Sequence, residues 1–76
     1  MEMNDFIQNF ADQFDDLDAS VLTPETKLRD LEEWSSLVAL SVMSMLDDEY
    51  DVQIKADEMR NAQTIQDLID YVEANK

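Results

Sequence analysis

Apolar residues recur at helical spacing from the start of the chain: Met3, Phe6, Ile7, Phe10, Ala11, Phe14 and Leu17 fall on one stripe, with Asp5, Gln8, Asp12 and Asp15 opposite. The pattern predicts an amphipathic first helix whose phenylalanines pack a core. From Asp18 to Ser35 the period lapses, and Ser20, Thr23-Pro24-Glu25, Lys27, Arg29 and Asp30 read as an irregular connection. A stretch longer than about 12 to 15 residues without periodicity is commonly functional or disordered. Here Leu22, Leu28, Leu31 and Trp34 are spaced to pin it to the core, so an ordered wrap is expected, with Pro24 opening a short turn where its missing amide costs nothing.

Periodicity resumes at about Ser36 and continues to Tyr50. Val38, Ala39, Val42, Met43, Met45, Leu46 and Tyr50 cover a broad apolar side of this second helix; Leu37, Leu40, Ser41, Ser44, Asp47 and Asp48 gather on the narrower side. Two leucines one turn apart on the face expected to be wet, flanked by serines and followed by acids, suggest a contact surface. Beyond Asp51 a short third helix is expected near Asp57 to Asn61. In the last helix Ile65, Leu68, Ile69 and Val72 form one face behind Thr64-Ile65-Gln66-Asp67, a variant of the capping box, and the helix ends near Ala74. Helices this short are marginal alone and must pack together. The fold class is therefore all-α: a small bundle of three main helices and one short one in a single domain over residues 1–76, with a long ordered loop between the first two helices.

Composition narrows the chemistry. The chain has no cysteine and no histidine, which removes disulfides, thiolate and imidazole catalysis and the usual zinc sites. Its 19 acidic and 5 basic residues leave a net charge of −14, a field that disfavours nucleic acid and anionic membranes and steers basic proteins inward. No apolar run approaches the roughly 20 residues of a membrane span, and a soluble, cytoplasmic monomer is expected. Asp47, Glu49, Asp51 and Glu58 take the spacing of a calcium loop, but Val52 stands where the turn needs glycine and Lys55 where a ligand belongs, so no metal site is expected. Met43, Met45 and Met59 read as adaptable core filling, or as a pliable core that opens for an apolar guest.

The candidate chemistry gathers at Glu32-Glu33-Trp34-Ser35-Ser36-Leu37, where the loop meets the second helix. A hydroxyl there serves either as a helix cap or, among free amides at the positive end of the helix dipole, as the anchor of a phosphoester. A serine nucleophile for catalysis lacks a base, and no enzymatic activity is expected.

Leu31-Glu32-Glu33-Trp34-Ser35-Ser36-Leu37, Asp47-Asp48-Glu49-Tyr50-Asp51-Val52 and Thr64-Ile65-Gln66-Asp67-Leu68, taken in this order, resemble an acyl carrier protein of the phosphopantetheine-binding family along nearly the whole chain. The resemblance implies a carrier that bears acyl groups as thioesters on a phosphopantetheine arm donated by coenzyme A, in fatty-acid, polyketide or related biosynthesis. The family's Asp-Ser-Leu motif aligns with Ser35-Ser36-Leu37, making Ser36 the attachment residue and Ser35 the alternative. Implied partners are a phosphopantetheinyl transferase and acyl-transferring or acyl-modifying enzymes with basic docking surfaces. These would meet Leu37, Leu40, Ser41, Asp47, Asp48 and Glu49. Ser35 replaces the family's Asp, and Val38 and Ser41 stand where fatty-acid-type carriers have acids, which points to a specialised carrier. The competing reading is an acidic helical adaptor that binds a basic protein without a prosthetic group, its two serines acting only as caps.

Overall fold

A computed structural model describes residues 2–75. Four α-helices carry it: α1 (Met3–Ala11), α2 (Ser36–Tyr50), α3 (Ala56–Asn61) and α4 (Ile65–Ala74), with 3₁₀ turns at Ala19–Val21 and Leu28–Asp30 in the long connection. This is the small all-α bundle expected from the apolar spacing, and α2, α3 and α4 fall within a residue of their predicted positions.

The first helix is shorter than its apolar stripe. It stops at Ala11, and the chain tightens as Gln13 N–H donates to the Phe10 carbonyl and Phe14 N–H to that of Ala11. Acids at Asp12, Asp15 and Asp16 crowd the negative end of the helix dipole, and no basic residue in the last turn offsets them. Phe14 is nonetheless buried and Leu17 packs on the core from outside the helix; at the other end of the stripe Met3 remains exposed.

The core draws on all four α-helices and the second 3₁₀ turn, with Phe6, Phe10, Leu28, Leu46, Ile65 and Leu68 fully enclosed. Met45 and Met59 are buried and Met43 packs against them at the edge, the core-filling arrangement. The long connection is ordered by two means. Leu22 and Leu28 are buried and Leu31 and Trp34 are partly so. The Asp18 carboxylate accepts the Ser20 backbone N–H (2.9 Å) at the first 3₁₀ turn, and that bond holds its pKa below the usual value.

Backbone bonds then lace the loop to the start of α4. Leu28 N–H donates to the Gln63 carbonyl (2.8 Å), Ile65 N–H to Thr26 (3.2 Å) and Gln66 N–H to Pro24 (2.8 Å). Asp67 N–H goes to the Thr64 hydroxyl (3.2 Å), and the Asp67 carboxylate accepts the N–H groups of Gln63 (2.8 Å) and Thr64 (3.2 Å). Every amide in the first turn of α4 is thus paired within the chain. Thr64→Ala removes one arm of this box and is expected to cost about 1 kcal/mol, read as a fall in urea midpoint, while Thr64→Ser keeps it. An unchanged midpoint in Thr64→Ala would show that the loop bonds alone hold this helix start.

Candidate functional site

The start of α2 is built differently. Ser35 is the N-cap, extended at φ −151° and ψ 173°, and its hydroxyl accepts the Val38 N–H at 3.3 Å. Its carbonyl accepts the Ala39 N–H at 2.9 Å, the first bond of the helix. The amides of Ser36 and Leu37 have no acceptor among the described residues, in contrast to the fully paired start of α4. Ser36, the first helical residue, is exposed, and its hydroxyl makes no hydrogen bond among them either. The two uses of a hydroxyl at a helix start are thereby divided: Ser35 is engaged as cap, and Ser36 stands free beside two unpaired amides at the positive end of a 15-residue helix. That donor set suits a phosphate.

Trp34 holds this junction in place. Its ring stacks with Phe10 (centroids 6.3 Å apart, planes at 19°) and meets Phe14 (6.4 Å). The residue two before the free serine is therefore clamped to the core through α1 and the turn after it.

The remaining predicted contact residues separate into two patches along α2. Leu37 and Leu40 are 75% and 58% exposed, as the helical wheel implied. Ser41 lies beside them half-buried, and its hydroxyl donates back to the Leu37 carbonyl (3.3 Å). Asp47 and Asp48 are exposed on the same side, about 10 to 16 Å further along at 1.5 Å per residue. Glu49 is exposed too, but lies about 100° further round the helix. There it lines a shallow depression with Asp5, Gln8 and Asn9 of α1, so the structure does not bring it together with the leucines.

The acids at the end of α2 oppose its dipole, and the helix has no basic residue in its last turn. Asp51 closes the helix in the left-handed region (φ 56°), a position glycine would usually take in a chain that has none. Because α2 runs unbroken to Tyr50, Asp47 and Glu49 are helical and Asp51 is a cap, so the calcium-loop spacing does not form a loop.

One feature escaped the sequence reading. A groove of about 390 Å³ opens beside Ser35 and Ser36, walled by Ala39, Leu40 and Met43 of α2, by Met59 and Arg60 of α3, and by Trp34 and Arg29 of the loop. Arg29 and Arg60 are 31 residues apart and meet only in the fold, where an Arg29 Nη2 N–H donates to the Arg60 carbonyl (3.2 Å). The available signal was their sign, in a chain with only 5 basic residues.

A family model described as phosphopantetheine attachment site matches residues 5–72, a span that takes in all of α2 and α3 and most of α1 and α4. Domains of this family hold phosphopantetheine covalently and act as carriers without catalysing a reaction themselves; they work with a phosphopantetheinyl transferase and acyl-handling enzymes. No curated protein matches the chain. Among the described residues no helix is long and apolar enough to cross a membrane.

Proposed function

The chain belongs to the phosphopantetheine-attachment family, and from that premise we propose an acyl carrier protein, a single cytoplasmic carrier unit over residues 1–76, in which Ser36 is the attachment residue. The observation that carries this reading is the division of labour at the start of α2: the Ser35 hydroxyl is occupied as cap, while the Ser36 hydroxyl is exposed and unbonded. In the transferase complex Ser36 Oγ attacks the β-phosphorus of coenzyme A, forms a new O–P bond, expels 3′,5′-adenosine bisphosphate and loses its proton. The arm then supplies a thiol that holds an acyl group as thioester. The unpaired Ser36 and Leu37 amides lie where a phosphate on Oγ needs donors.

Leu37 and Leu40 form the apolar part of a docking face for partner enzymes in fatty-acid, polyketide or related biosynthesis; Asp47 and Asp48 form its charged part. Glu49 and Ser41 contribute at its edges. Acids opposed by their own helix dipole are relieved by an approaching basic surface, which favours fast encounter, while two leucine anchors bury little area and let the partner leave. Two exposed leucines are also too small a patch for a stable self-association, in keeping with a monomer.

Incubation with coenzyme A and a broad-specificity transferase is expected to raise the intact mass by one phosphopantetheine group. An unchanged mass, where a control carrier is loaded, would overturn the proposal. Leu37→Ala and Leu40→Ala are each expected to lower kcat/KM for the transferase about tenfold, since burying a leucine contributes about 1.5–3 kcal/mol. The urea midpoint should barely move, both side chains being exposed; equal kcat/KM for the variants would place docking elsewhere.

A further inference from the structure

We propose that the groove between α2 and α3 binds the distal carboxylate of a dicarboxylic acyl group carried on this chain's own arm, with Arg29 and Arg60 as its charge partners. This rests on the reading of Ser36 as the attachment residue.

The argument begins with charge. The chain carries 19 acids and 5 bases, yet the only charged side chains lining this groove are the two arginines, and no carboxylate lines it. The Arg29 guanidinium is held against the backbone of Arg60 at the rim, since Arg29 donates to the Arg60 carbonyl. Arg60 also pairs with Asp57, an exposed residue outside the groove lining. Arg29 has no carboxylate partner among the described residues, and that one bond uses one of its five N–H donors. A planar guanidinium fixed at one corner with donors to spare is suited to two-point recognition of a carboxylate.

The rest of the lining explains why the anion should be the end of an acyl chain. Trp34, Ala39, Leu40, Met43 and Met59 give the groove an apolar body, and Ser36 stands at its edge. Its 390 Å³ equals about a dozen water-sized volumes of about 30 Å³, room for a short chain. A simple alkyl group would fill the apolar body and leave the arginines to solvent. A chain of the same length ending in carboxylate engages both parts, its two oxygens meeting guanidinium donors at the exposed rim.

The test compares this protein loaded by the transferase with hexanoyl- or adipoyl-coenzyme A, two six-carbon acyl groups that differ in the terminal carboxylate. Intact mass first establishes loading. The adipoyl form is expected to melt at least about 4 °C above the hexanoyl form, the shift that about 1 kcal/mol produces in a domain of this size. Arg29→Gln/Arg60→Gln should abolish the difference, and each protein serves as its own reference because both forms of it are compared. The arginine Nε–H resonances should move on adipoyl but not hexanoyl loading. Failure to load would overturn the attachment reading and this proposal with it. Loading with equal melting temperatures would overturn this proposal alone. A rise common to the unacylated, hexanoyl and adipoyl forms and lost in the double variant would identify the arm's own phosphate as the anion, and would overturn the carboxylate reading.

Discussion

Ser36→Ala is expected to remain at its unmodified mass under conditions that load the wild-type chain completely, with no measurable loss of stability. The expectation follows from what the hydroxyl does not do: it makes no hydrogen bond among the described residues and is exposed, so its removal breaks nothing in the fold. Alanine also suits the first turn of a helix. Ser35→Ala has the opposite profile. It removes the acceptor of the Val38 N–H and is expected to lower stability by about 1 kcal/mol or less, the bond being long at 3.3 Å. Loading of Ser35→Ala should persist, slowed to the extent that the frayed helix start presents Ser36 less often. Intact mass and a urea titration on the two variants separate the roles. A mass gain that survives Ser36→Ala but is lost in Ser35→Ala would move the attachment to Ser35 and leave the cap unexplained.

The division between those two serines was legible in part before the fold. Helix start and hydroxyl chemistry follow from the change of periodicity at Ser36, and the exposure of Leu37 and Leu40 follows from the wheel of α2. Three features were not legible, each for a physical reason. The end of α1 was hidden because Phe14 and Leu17 keep the apolar period after the helix stops, packing from a turn in positions a helix would also have used. The lacing of the loop to α4 was hidden because its bonds run between backbone groups, from Leu28 to Gln63 and from Gln66 to Pro24, and any side chain is compatible with them. The groove was hidden because Arg29 and Arg60 become neighbours only through tertiary packing. The apolar residues around it have the spacing of ordinary core positions.

Phe10→Ala is expected to be among the most damaging single changes in the molecule, and its effect should reach the attachment site. The ring is fully buried, and it contacts Phe14 (5.2 Å between centroids) and Trp34 (6.3 Å). Removing it forfeits the transfer free energy of the ring and leaves a cavity, together about 3–5 kcal/mol. Small domains hold only about 5–15 kcal/mol in all. A 76-residue chain with a modest core and a net charge of −14 belongs at the low end of that range. The loss corresponds to a fall in Tm of at least about 12 °C, with most of the remaining stability gone. Before global unfolding, Trp34 loses the partner with which it stacks and keeps only its contact with Phe14, so the residue two before Ser36 is clamped less firmly to the core. Trp34 emission should therefore shift to the red in Phe10→Ala under conditions where circular dichroism still reports native helix, and loading of Ser36 should slow in the same samples. Leu40→Ala, which cuts an exposed side chain on the same face as the docking residues, should leave both emission and Tm near wild type. If Phe10→Ala costs under about 1 kcal/mol, the site would have collapsed around the missing ring, and Trp34 would have to be anchored by Phe14 alone.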